Sequence, residues 1–154
     1  MTTYKSEQLT DGFRKYPIDD HGKLRTQHFR IPALTVAYAQ NDQVDLFKIP
    51  PGRIRHLPWL SRIWSSAWGA SRTIDIGYRA YSVRPPDVAQ EIEDGDAFID
   101  GLDVSSAVSN TVWGATPPKY DMYSRTEVTV FLTILGGTMP IGGTLEGFFA
   151  YLYE

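Results

Sequence analysis

The chain has 154 residues, 42% of them hydrophobic, no cysteine and a formal net charge of −3. A domain of this length buries about 70% of the surface its unfolded chain exposes, so packing and hydrogen bonding can hold it without a staple. The composition excludes disulfides, cysteine zinc sites and thiol chemistry, and the mildly acidic balance argues against a nucleic-acid binder, which carries a basic stripe.

Residues 1–30 show neither the 3.6-residue nor the 2-residue apolar period, so they read as an extended arm in front of a domain over residues 31–154. The arm holds six Lys/Arg against four Asp/Glu, whereas the rest holds nine against fourteen. Tyr4, Phe13, Tyr16 and Phe29 are spread along it, and apolar rings gain nothing from standing in water. Together with Arg14, Arg25 and Arg30 they are candidate anchors on an acidic neighbouring surface; a solvated tail is the alternative. The opening MTTYKSEQLT lacks the apolar core of a signal peptide, and no apolar run approaches the ~20 residues of a membrane span. A soluble protein of the cytoplasmic side is expected.

Strand patterns start at Ile31. Leu34, Val36 and Tyr38 alternate with Thr35 and Ala37, and Asp45–Ile49 leads through a Pro50–Gly52 turn into Arg53–Leu57. Trp59–Ala67 continues extended, and Arg72–Tyr81 places Ile74, Ile76, Tyr78 and Ala80 on one face. Asp87–Ser106 contains seven acids between Asp87 and Asp103 and no base; it reads as a loop with a helical turn. Ala107–Trp113 is a short strand. Glu127–Leu135 and Leu145–Tyr153 are strands joined by a glycine-rich loop, read as a hairpin. Short strands punctuated by Gly and Pro, with no long helix, predict an all-β antiparallel sandwich or barrel. In Glu127–Leu135, Val128, Val130, Leu132 and Ile134 form one apolar face while Phe131 lies on the other. A strand apolar on both faces is either central or covered by a partner, which makes Phe131 an interface candidate.

Chemistry is hard to find. Gly137–Thr144 approaches a phosphate loop, but Gly143 stands where the lysine is needed and a strand pattern follows instead of a helix. His21, His28 and His56 form no metal pattern, and no nucleophile elbow is present. Asp94-Gly95-Asp96 opens like a calcium loop, yet Phe98 and Ile99 fill the next ligand and glycine positions. Arg53–Arg62 with Trp59, Trp64 and Trp68 mixes cations and rings as single-strand binders do. Interface tryptophans with arginines at the rim explain it equally well, so Trp59 and Trp64 join the interface candidates. No catalysis, cofactor or metal is expected.

Three stretches carry a resemblance: DLFKIPPGRIRHLPWLSRIWSSAWGASRTIDIGYRAY, DGDAFIDGLDVSSA and VTVFLTILGGTMPIGGTLEGFFAYLYE. They resemble tailed-bacteriophage head proteins, the small jelly-roll-like capsid decoration (cement) or minor virion proteins. The likeness runs from Val44 to Glu154 and leaves residues 1–30 outside. It implies a jelly-roll-like sandwich, a major capsid protein as partner with like copies as lattice neighbours, assembly in the host cytoplasm and a final place on the capsid surface. A tail, connector or fibre-base protein and a carbohydrate-binding sandwich are the rival readings.

Overall fold

A computed structural model of the protein describes residues 3–5, 24–83, 90–114 and 119–153. The described strands are, in chain order, β1 (Thr3–Lys5), β2 (Leu24–Ile31), β3 (Gln43–Ile49), β4 (Gly52–His56), β5 (Arg62–Ser65) and β6 (Thr73–Tyr78). They continue with β7 (Asp94–Asp103), β8 (Val108–Val112), β9 (Asp121–Ser124), β10 (Val128–Leu135) and β11 (Leu145–Tyr153), and one 3-10 turn occupies Pro58–Leu60. They form two sheets. The first runs β1-β3-β10-β6-β7; the second runs β8-β5-β11-β4-β9, with β2 also paired to β11. The chain changes sheet from β1 to β2, β2 to β3, β3 to β4, β5 to β6, β7 to β8, β9 to β10 and β10 to β11. This interlocked all-β sandwich meets the jelly-roll-like expectation. All pairs are antiparallel except β1 with β3.

β11 organises the second sheet. Along one edge it pairs with β2 from Leu145 to Leu152. Along the other it meets β5 at Leu145–Phe148 and β4 at Tyr151–Tyr153, so β4 and β5 lie end to end with the 3-10 turn between them. The inner faces of the two sheets close over Val44, Phe47, Ile76, Val130 and Leu132 on one side and Phe29, Ile54, Ile63, Leu145 and Phe149 on the other, none more than 2% exposed. The Phe149 ring is central, with Phe98, Trp113 and Phe47 at 5.1, 5.4 and 5.5 Å.

Several elements differ from the sequence reading. Residues 24–30, placed in the arm, form with Ile31 the strand β2, whose Phe29 and Ile31 are core residues. Only the last third of that strand is apolar, because one face of β2 looks outward and its far end covers little. Phe29 lies across Gly147, where a Cβ would come within 2.7 Å of the ring; β11 needs the glycine to let the ring down. Within the acid-rich segment, Asp94–Asp103 is strand β7, its carboxylates fringing the end strand of the first sheet while Ala97, Phe98 and Ile99 are buried. Register shifts against β6 break its alternation. The stretch Leu34–Tyr38 is not a strand. It docks on the glycine loop through Leu34 with Gly142 and Gly143 and through Tyr38 with Met139. That loop is no hairpin either: it carries the chain from β10 in one sheet to β11 in the other.

Candidate interface on the second sheet

The outer faces of the two sheets are finished differently. On the first sheet, Phe131 is fully buried although its side chain points away from the core face. The Arg79 guanidinium lies 4.0 Å above its ring, and Asp45 and Glu93 hold that guanidinium at 3.0 and 3.3 Å, with Gln43 accepting a further hydrogen bond. A cation over an aromatic face is attracted by the ring quadrupole. The chain therefore covers Phe131 with its own residues, and the expectation that this ring meets a partner is corrected.

No such cover lies over the outer face of the second sheet among the described residues. Alternation sends Thr26, His28 and Arg30 outward from β2 while Phe29 and Ile31 go inward. The same parity turns Glu146 and Phe148 outward from β11, and Arg62 and Trp64 from β5. The register assembles two rows: Arg30–Glu146–Trp64 and His28–Phe148–Arg62–Val112. Phe148 is the shared floor, with the His28 ring 5.5 Å and the Trp64 ring 6.0 Å from it. Around them lies an open groove of about 440 Å³ lined by His28, Arg30, Trp64, Glu146 and Phe148, with Phe29 and Gly147 beneath.

The 3-10 turn extends this face. Arg62 donates through Nη1 to the carbonyls of Trp59 and Ser61 at 2.7 and 2.9 Å, which fixes the guanidinium beside the turn carrying Trp59. Trp59 is 56% exposed and Val112, opposite Arg62, is 47% exposed. Exposed tryptophan, half-buried Phe and Trp, and arginines among them are the residue types on which binding energy concentrates at protein interfaces.

Of the residues singled out in the sequence, Arg30 and Trp64 share this groove, and Trp59 borders it through Arg62. Arg25 sits on β2 with the inward parity of Phe29, opposite Tyr151, and so lies on the other side of the strand from Arg30. Tyr4 is far from the groove in the pairing order, on β1 at the edge of the first sheet, where it stacks on Tyr38. Phe29 and Phe131 are core residues. Phe13, Arg14 and Tyr16 lie outside the described residues. His28, Arg62 and Glu146 are not among the sequence's interface candidates; nor is Phe148, although its opposition to Phe149 and Tyr151 marks β11 as apolar on both faces.

The catalytic and metal candidates find no assembly. Asp94-Gly95-Asp96 begins β7, and Phe98 is in the core. Among the described residues no three His, Asp or Glu converge as a metal would require, and no helix is long and apolar enough to cross a membrane. His56 is 1% exposed and stacked on Phe149 at 4.2 Å, closed off from any substrate.

No protein-family model matches this sequence, and no curated protein is significantly similar to it. Solved structures are. A chain from the capsid of Ralstonia phage GP4 superposes with a TM-score of 0.70 at 18% identity, over 99% of this chain and 99% of its own. A chain from the capsid asymmetric unit of cyanophage Pam1 superposes with a TM-score of 0.55 at 11% identity, over 92% and 93%. The fold is that of phage capsid chains. At these identities the likeness is one of fold, and it extends over almost the whole of both partners.

Proposed function

We propose that this chain is a structural, non-enzymatic subunit of a phage virion. It decorates the outside of the capsid, seating the outer face of the second sheet on the major capsid protein and bridging neighbouring shell subunits. One observation carries the reading: the Arg79 ion pairs cover Phe131 on the first sheet, whereas among the described residues an aromatic, arginine-bordered groove stays open on the second. The end-to-end likeness to capsid chains supports the setting, as does the motif resemblance. Phe13, Arg14 and Tyr16 belong to the same proposal as further contacts, by residue type. Assembly takes place in the host cytoplasm.

The mechanism is mass action. A protein that binds only the assembled shell stabilises it by its own binding free energy. A micromolar contact contributes about 8 kcal/mol, and repetition over a lattice lets modest contacts resist internal pressure. Trp64→Ala is expected to weaken binding to decoration-free shells by about 30-fold, as a central anchor worth ~2 kcal/mol does. Its thermal midpoint should stay close to the parent's, and Asp100→Asn on the far β7 edge should bind normally. Unchanged shell binding by Trp64→Ala and by Trp59→Ala would remove this face from the reading. The Trp64 and Phe148 rings could also stack on a sugar; glycan-dependent quenching of tryptophan fluorescence would favour a carbohydrate-binding role instead.

A further inference from the structure

β1 is an unusual element. It has three residues, and among the described strands it is the one added to its sheet by a parallel pairing. It covers β3, which would otherwise be an outermost strand of the first sheet, with Thr3 opposite Gln43, Tyr4 opposite Val44 and Lys5 opposite Asp45. Side-chain attachment rests on Tyr4, whose ring stacks on Tyr38 with centroids 3.8 Å apart and planes inclined by 14°. The next described strand, β2, belongs to the other sheet, and residues 6–23 connect the two.

We propose that the outer edge of β3 is a strand-acceptor site, and that neighbouring copies of this chain exchange β1. Thr3–Lys5 of one copy would pair with Gln43–Asp45 of the next, and Tyr4 of one would stack on Tyr38 of the other. The donor strand and the acceptor edge are the same in every copy, so exchange preserves each backbone pair and the ring stack. That identity is why swapping is a low-cost route to association. Reach permits it. Residues 6–23 can span on the order of 60 Å when extended, while a domain of this length is on the order of 40 Å across. A contact of three residues opens locally at small cost, whereas an empty β3 edge is a site any strand can fill. Tethering by such a segment gives an effective concentration of order millimolar, which closely spaced neighbours on a shell can match. The biological setting rests on the virion reading above; the exchange itself does not need a shell.

The absence of native cysteine makes a direct test possible. Tyr4→Cys and Tyr38→Cys, each made singly in the full chain, are mixed at high concentration and treated with a short bis-maleimide. A covalent dimer whose linked peptides join position 4 of one chain to position 38 of the other reports exchange where it exceeds the dimers that random encounter gives. The expected result is at least tenfold more of this dimer in the mixture than of the 4-to-4 or 38-to-38 dimers formed by either variant alone, increasing with protein concentration. Sedimentation of the chain with native side chains provides a second readout, with association expected for the full chain and lost on deletion of residues 1–5. No position 4 to 38 dimer in the mixture, together with sedimentation unaffected by the deletion, would overturn the proposal. Exchange without any binding to shells would instead sink the virion reading and leave this one standing.

Discussion

Val130→Asp is expected to unfold the domain. Val130 lies on β10, the middle strand of the first sheet, opposite Phe47 on one neighbour and Tyr78 on the other, and it is fully buried. A carboxylate there would lie between Phe47 and Tyr78, and burying it unpaired costs several kcal/mol against a total stability of about 5–15 kcal/mol. Phe131→Ser, on the opposite face of the same strand, is expected to be destabilising too. It removes a buried ring and leaves the Arg79 guanidinium over a void, a loss of about 3–5 kcal/mol by comparison with other large-to-small changes in cores. Urea unfolding of the isolated protein checks both. A Phe131→Ser variant within 1 kcal/mol of the parent would mean that the ring is not sealed by this chain, and would reinstate the first sheet as a contact surface.

The second large effect is acid sensitivity centred on His56. Its Nδ1 is 3.3 Å from the Lys119 carbonyl, its Nε2 3.1 Å from the Ser61 hydroxyl, and Phe149, Phe98 and Trp113 surround the ring. A carbonyl can only accept, so the neutral ring donates from Nδ1. Burial pushes the pKa down from 6.5 to about 3, against a smaller upward pull from the Lys119 carbonyl. The unfolded ring titrates near its ordinary value. Between pH 6.5 and 3 the unfolded state therefore holds the extra proton, and stability falls as the pH falls, by about 1.4 kcal/mol per unit. Glu91 acts in the same direction, since its hydrogen bond from Lys119 holds its carboxyl below the usual range. Asp75 acts in the opposite one, because burial raises its carboxyl. Comparison with His56→Gln isolates the imidazole. From pH 6.5 to 4 the parent should lose about 3 kcal/mol more than the variant; parallel curves would show that the ring is not held neutral.

How far the sequence is legible depends on how many neighbours decide each feature. β6, β10 and β11 lie within the stretches whose alternation marked them, because β-branched and aromatic residues on a buried face repeat every second position whatever lies opposite. β7 is hidden because it is an end strand: its carboxylates face water, and register shifts bury Ala97, Phe98 and Ile99 in succession. β2 is hidden for a related reason, with one face outward and Phe29 and Ile31 alone carrying the core signal. The β10–β11 connection has the glycines of a hairpin, and nothing local states that its two ends join different sheets. The same holds for the groove. Trp59, Trp64 and Arg30 are conspicuous by residue type, but their company of His28, Glu146 and Phe148 is set by pairings between β2, β5 and β11, distant in sequence. Phe131 misleads because the cation that seals it, Arg79, comes from a different strand region.

The central claim is that this chain is a repeated structural subunit of a virion, and copy number tests it most directly. Purified virions would be dissociated and this chain quantified by mass spectrometry against isotope-labelled standards, relative to the major capsid protein. A decoration protein is expected in fixed stoichiometry with the shell, hundreds of copies per particle, saturating when purified protein is added back to undecorated heads. Absence from purified virions, or a dozen or fewer copies per particle, would contradict the account.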